Sequence, residues 1–365
     1  MTRIAVVGAG IVGLATAWAL RQHGAEVRIF ESGAPGGGQS AGESRIFRHA
    51  HDDARLARFV SHSRQLWRTW SEVFGQPLIS PGGAIAIGPG VPEKLKLLDQ
   101  LDHVPTAPLN REALQERFPL VADYSGPAMV DLHGGTIHTL AAIDALTGAL
   151  RADVVHDHVL SVRSTATGAA EVRTGTGAET FDHVVLCAGR GTAELAHGAG
   201  LDLPVQLSAH VRLAFAVRHP GKDPLPTFQD GSDAFGESGV YGAPSQDNRR
   251  YSIGLSDTTR PAGPRGLDDP AELNALTERT AAYVRRALPG LDPTPRGHVH
   301  CWVTTVPWGD DGVGAWSDGA VTAIAGHNLF KQAPALGEAL AEAALTGVVP
   351  ELLRPESRLG AADSP

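Results

Sequence analysis

Apolar and polar positions along this chain follow two periods, and the first thirty residues show both. Ile4-Ala5-Val6-Val7 is an unbroken, β-branched run of the kind that forms a strand covered on both faces. It leads through Gly8-Ala9-Gly10-Ile11-Val12-Gly13 into an alanine-rich stretch, Leu14 to His23, that reads as a helix stopping at Gly24. A second apolar run, Val27 to Phe30, ends on Glu31. Further on, Arg55 to Phe74 carries Leu56, Phe59, Leu66, Trp67 and Trp70 near helical spacing, so its tryptophans are expected in the core. Leu78–Ile87 has strand character broken by Pro81-Gly82-Gly83, and short surface helices are predicted over 93–101 and 111–117. Gly134 to His138 leads into a helix from about Leu140 to Leu150.

The second half repeats this alternation. Val154–Val162 and Ala170–Thr174 read as strands, and Phe181 to Gly189 as a buried strand ending on Ala188-Gly189, with a helical turn over Thr192–Ala196. From Val205 a period of two returns at Val211–Val217, Val240–Gly242 and Tyr251–Leu255, which predicts an antiparallel sheet. Pro261–Pro270 reads as a turn region, and Leu273–Leu288 as a helix closed by Pro289-Gly290. A last strand, Ala320–Ala325, enters Gly326-His327-Asn328-Leu329-Phe330-Lys331, followed by a helix from Pro334 to Leu345. Residues from about Pro355 look disordered, and there is no internal repeat. The loop from Ser32 to Ser44, rich in Gly and Ser, looks mobile and delivers Arg45 and Arg48.

The expected fold is α/β: a Rossmann-type nucleotide domain with an interleaved mixed or antiparallel-sheet substrate domain. The nucleotide part is assigned to 1–74, 133–203 and 302–365, the substrate part to 75–132 and 204–301, with the ligand cleft between them. At 365 residues the chain can bury a sizeable core. A net charge of −9 with no basic cluster argues against nucleic acid. The sixteen histidines show no metal-ligand spacing, so no metal is expected. Cys187 and Cys301 alone make no disulfide framework and suit a reducing compartment. The first strand leaves no room ahead of it for a signal peptide and no run is long enough for a bilayer, so a cytoplasmic location is expected, without membrane contact.

Each residue of the opening unit has a chemical task. Gly8 permits the tight turn, Gly10 lets backbone approach a pyrophosphate, and Gly13 lets the helix pack on the sheet, while the helix N-terminus faces phosphates. Glu31 can accept both hydroxyls of an adenosine ribose, and its charge disfavours a 2′-phosphate. This predicts a dinucleotide site and leaves open which dinucleotide occupies it.

Five separated places together resemble the D-amino acid oxidase superfamily of FAD-dependent oxidoreductases, closest to the branch of monomeric sarcosine oxidase and N-methyltryptophan oxidase. They are Gly8–Gly13 with Glu31, Ser44 to His49, Val184 to Gly189, Tyr241-Gly242-Ala243-Pro244, and Cys301 with Pro307 and Gly326 to Lys331. The resemblance covers nearly the whole chain. It implies FAD as cofactor, held by Gly8, Gly10, Ile11, Val12, Gly13, Glu31, Ser44, Arg45, Val159, Ala188, Gly189, Gly326, Asn328, Leu329, Phe330 and Lys331. Cys301 falls on the family's covalent flavin attachment point. The family's pair of histidines ahead of the first arginine is replaced by Ser40 and Ala41, so a dissociable FAD is the alternative.

The resemblance also assigns the chemistry. Arg45 would lie beside the flavin ring, and Arg48 with Lys331 would hold the substrate carboxylate, a task the planar guanidinium suits. Tyr241 would face substrate, and His327 would line the same pocket; Gly326 to Lys331 is two residues shorter than in sarcosine oxidase. Ser252 and Ser256 stand where the family has a lysine that speeds reaction with oxygen and an active-site histidine. The implied activity is oxidation of the C–N bond of a small amino acid, most plainly a secondary amine, to an imine, with oxygen as acceptor and peroxide as product. A same-fold dehydrogenase using another acceptor, an NAD-dependent enzyme and a non-catalytic flavoprotein are the rivals. A monomer or small homo-oligomer is expected.

Overall fold

The computed structural model describes residues 1–259 and 270–361, so most of the predicted turn region Pro261–Pro270 lies outside the described residues. The opening strand, Arg3–Val7, sits at the centre of a six-stranded sheet ordered 313–318, 321–326, 183–186, 3–7, 26–31, 154–156. All neighbours are parallel except the first pair. Ile4, Ala5 and Val6 are fully buried, as a run lacking polar alternation requires. Helix Ile11–Gln22 follows directly and packs against helix Leu329–Thr346. The approach is close because Gly337 has no side chain: a Cβ there would lie 2.6 Å from the Ala15 backbone.

An eight-stranded sheet forms the second layer, ordered 297–305, 206–216, 250–255, 240–244, 227–230, 84–87, 128–131, 106–109. Only the 227–230/84–87 pair is parallel. Its buried face holds Phe118, Phe215, Phe228 and Tyr251 under helix Pro270–Ala287. A three-stranded antiparallel sheet (159–164, 170–174, 178–181) and a two-stranded one (44–47, 135–138) complete the molecule. The expected combination of a Rossmann-type sheet with a mixed, largely antiparallel one is the architecture found.

The structure corrects several boundaries. The predicted strand Val154–Val162 is two strands in different sheets, divided at Asp157-His158. The buried strand ends at Leu186, so Cys187 lies just past it. Ser44–Phe47 is a strand, and the Gly/Ser-rich loop before it is tied down: Gly36 donates to the Ala9 carbonyl, and Gln39 to Thr304 and the Trp302 carbonyl. Residues 355–361 are packed as well, since Leu359 is buried and bridges to Val313, and Gly360 N–H donates to Asp53. Long-range hydrogen bonds supply order where disorder was expected; residues 362–365 of that stretch lie outside the described residues. The last long helix starts at Leu329, and Pro334 lies inside it. A proline withholds the N–H that would reach the carbonyl four residues back, here that of Phe330; the next carbonyl, that of Lys331, takes two side-chain donors, Ser63 at 2.8 Å and Trp67 at 2.9 Å. Trp67 is fully buried and stacked on Phe330, so it serves the core and anchors Lys331 at once.

Candidate active site

A cleft of about 1670 Å³ runs from the first βα turn, between the two large sheets, to the start of helix Val91–Leu98. That exceeds the roughly 300–1,000 Å³ of an ordinary ligand pocket, as a channel holding an extended dinucleotide and a substrate should. Of the residues singled out in the sequence, all but Gly13 and Ser44 line it.

At one end the three glycines divide their labour visibly. Gly8 has φ +101°, which an L side chain rarely adopts, and a Cβ on Gly13 would strike the Gly8 carbonyl at 1.9 Å. A Cβ on Gly10 would meet only Ser40 Oγ, at 3.3 Å, so its smoothness serves the cleft rather than the packing. Ser40 also accepts from Ile11 N–H at 3.0 Å, and the next N–H groups of that helix have no intrahelical partner. Both Glu31 oxygens are fixed, Oε2 by Ala9 N–H and Oε1 by Gly33 N–H, each at 2.8 Å. A phosphate-facing helix end and a rigid carboxylate on one channel fit an FAD adenosine diphosphate. Val159 lines this half from the three-stranded sheet, and Ala188-Gly189 from just past the end of strand 183–186.

The middle of the cleft is cationic. Arg45 donates to the carbonyls of Ser44 at 3.0 Å and Gln39 at 3.2 Å, and also to that of Ala41. Burial, with Arg212 beside it, pushes its pKa down to about 10. Arg212 was not foreseen from the sequence; it shares the Ser44 carbonyl with Arg45, at 3.2 Å. Cys301 lies mid-strand opposite His210, half-buried and free, whereas Cys187 is buried and its thiol pushed up to about 12 by that burial. Tyr241 stands 3.4 Å from His210 Nδ1, and burial raises its pKa above the ordinary value, so it is a neutral phenol. His210 in turn packs edge-on against His327. His327 Nδ1 meets the Asp310 carbonyl at 2.8 Å, which makes Nδ1 the protonated nitrogen and leaves Nε2 as acceptor.

Beyond lies a cluster drawn from three distant segments. Arg48 Nη2 donates to Asp311 at 3.3 Å, His51 Nδ1 to the same oxygen at 2.8 Å, and Asn328 Nδ2 to the other at 2.6 Å. Lys331 is buried, and among the described residues its ammonium enters no hydrogen bond. Burial pushes its pKa down to about 7, with Asp311 acting to raise it and Arg48 to lower it. Sequence patterning gave no warning of Asp311 or His51: a single acid in a Gly-rich turn looks like any solvated loop residue. Ser252 and Ser256 also line the cleft, and Arg250 sits at the hairpin, paired with Glu43. No group of three or more candidate metal ligands occurs among the described residues, and none of their helices is long and apolar enough to cross a membrane.

A parallel Rossmann sheet with this phosphate-facing turn, opening on a cleft walled by a second sheet, defines a dinucleotide-dependent oxidoreductase. The chain belongs to the family of FAD dependent oxidoreductases termed DAO, whose model matches residues 3–343, and FAD is its cofactor. Its fold is shared with the open form of NikD, an unusual amino acid oxidase essential for nikkomycin biosynthesis (22% identity, TM-score 0.81, covering 98% of this chain and 97% of that one). It is shared too with L-proline dehydrogenase from P. horikoshii (20% identity, TM-score 0.80, covering 97% and 96%). A curated relative, D-proline dehydrogenase of Pyrobaculum islandicum (strain DSM 4184 / JCM 9189 / GEO3), is 56% identical over 39 residues, and that match spans 11% of each chain.

Proposed function

We propose that this enzyme oxidises the C–N bond of a small amino acid carrying a secondary amine, giving an imine that water then hydrolyses. The observation that carries this reading is the pairing of Arg48 and Lys331, far apart in sequence, on one cleft wall around Asp311. The Lys331 ammonium, without a hydrogen bond among the described residues, is an open donor for a carboxylate. Arg48 offers a planar fork beside it. A carboxylate seated there fixes the neighbouring carbon and nitrogen in the cleft, and close positioning of this kind is a large part of a rate enhancement.

Bound FAD supplies the acceptance of two electrons; the protein binds, orients and sets the electrostatics. Tyr241, His210 and His327 form a neutral polar wall, since burial lowers the pKa of both histidines, His210 to about 4. Such a wall accepts an uncharged amine without competing for its proton. Similarity to two enzymes named as proline dehydrogenases supports a secondary amine, proline being one.

Oxygen is proposed as terminal acceptor, with peroxide formed. The second reading, a dehydrogenase passing electrons elsewhere, is favoured by Ser252, which leaves that cleft position uncharged. Comparing reoxidation of the reduced enzyme by oxygen and by an artificial acceptor decides between them. Cys301 lines the cleft near Arg45 and Tyr241 and is the proposed flavin attachment point. Acid precipitation of the purified enzyme tests this: a yellow pellet is expected, and a yellow supernatant means dissociable FAD. The central test is anaerobic bleaching by a panel of N-alkyl amino acids, with Lys331→Met strongly impaired. Normal bleaching in that variant would remove Lys331 from the site.

A further inference from the structure

A site for a substrate carboxylate gains nothing from a rival carboxylate among its cations unless that group has another task. Asp311 is such a group. It lies in the turn between strands 297–305 and 313–318, lines the cleft, and is met by Arg48, His51 and Asn328 at 2.6–3.3 Å. Two of these donors bring no charge. Asn328 is an amide, held by a left-handed φ of +56° at the helix start. His51 is fully enclosed, and burial, with Lys331 and Arg48 nearby, pushes its pKa down to about 3, so it donates Nδ1–H while neutral. The charge of Asp311 therefore acts on Arg48 and Lys331, and from helix Val91–Leu98 on Lys94 as well. Burial alone would raise its own pKa, but Lys331, His51 and Arg48 hold it well below the usual carboxylate range.

We propose that Asp311 is a positioning residue for substrate binding: it holds Arg48 and Lys331 together as a charged pair that meets one carboxylate. This rests on the carboxylate reading of those two residues. Lys94, facing Arg48 and Asp311 from helix Val91–Leu98, is balanced by Asp52 at 3.7 Å, so the remaining two cations and one anion leave a single net positive charge, the complement of one carboxylate. The groups facing Lys331 are Asp311, Arg48, His51 and His327, and of these only Asp311 brings a negative charge. Arg48 has Asp311 as its ion-pair partner among the described residues, at 3.3 Å. Removing Asp311 thus frees the guanidinium and favours loss of the Lys331 proton at neutral pH.

The test uses the FAD-loaded enzyme and acetate as probe, following acetate binding by its perturbation of the flavin spectrum across the neutral pH range. In the unaltered enzyme, acetate affinity is constant at lower pH and falls about tenfold per pH unit above a bend. Asp311→Asn is expected to move that bend down by about one to three pH units, weaken acetate at neutral pH, and regain affinity on acidification. Asp311→Glu restores the bend. A residue that only braced the loop would weaken acetate equally at every pH, and an unmoved bend overturns the proposal. If Asp311→Asn does not retain FAD, Asp311→Ser, which leaves room for water, carries the same expectations. Lys331→Met separates the two claims. If it binds acetate normally, the carboxylate reading itself fails; if it loses acetate while the Asp311→Asn bend stays fixed, only the role of Asp311 falls.

Discussion

Two pairs of cations line one cleft and are built differently. Arg48 is ion-paired with Asp311 at 3.3 Å, and Lys331 feels the charge of the same carboxylate. Arg45 and Arg212, by contrast, have no carboxylate within ion-pair distance among the described residues, and neither shows an electrostatic interaction with Asp311. Arg45 and Arg212 are held by backbone carbonyls, with Gly42 between them: a Cβ there would lie 2.8 Å from one guanidinium and 3.3 Å from the other. Carbonyl dipoles orient a guanidinium but do not cancel its charge. The uncompensated pair therefore presents close to two positive charges and suits a group that becomes anionic, as a reduced flavin does. The compensated pair presents one and suits a ligand that arrives with one negative charge. On the proposed reading, counter-ion placement, more than cation count, sorts a cofactor region from a substrate region.

Breaking the compensated pair should have the largest effect. Lys331→Met is expected to lower kcat/KM for the true substrate about a hundredfold, in the range found when one partner of a buried charge pair is removed; stopped-flow reduction of the enzyme measures it. Next comes pH. Lys331 must be protonated to hold an anion, and its free-state pKa is about 7. Carboxylate affinity should therefore be full below that value and fall about tenfold for each unit above it, until the pKa of the bound form is reached. Inhibition by acetate at several pH values checks both sign and slope.

Arg212→Met sharpens the other half of the comparison. Losing one uncompensated cation should lower the flavin midpoint potential by about 30 mV, the equivalent of about 1.4 kcal/mol for two electrons, with Arg212→Lys close to the original value. A spectroelectrochemical titration reads it directly, and an unchanged potential would mean that Arg212 does not face the reduced cofactor. The smallest effect is expected at Arg250, whose ion pair with Glu43 is exposed. Arg250→Gln should alter stability by less than about 1 kcal/mol and leave the potential and acetate binding alone.

Much of the frame was legible because it depends on local chemistry. The run Ile4–Val7, three glycines with separate tasks and Glu31 at the next strand end specify a dinucleotide turn, each through its own near neighbours. Period-two patterning likewise marked strands 206–216, 240–244 and 250–255. Two of the strands that escaped notice, Ala128–Asp131 and Thr227–Asp230, are four residues long and nearly all buried, so they lack the alternation that would reveal them. Ser44–Phe47 looked like a loop because glycine and serine precede it; its pairing with Gly135–His138 is what makes it a strand.

The sequence by itself determined the nucleotide-binding turn, the two-sheet architecture and the family to which the chain belongs, since these follow from residue type at short spacing. Only the tertiary structure decided which charges meet. Asp311 joins His51, Arg48 and Lys331 across more than 250 residues in the first two cases, and Arg212 comes beside Arg45 from a different sheet. Electrostatic energy depends on distance and burial, and neither quantity is written in the order of residues along the chain.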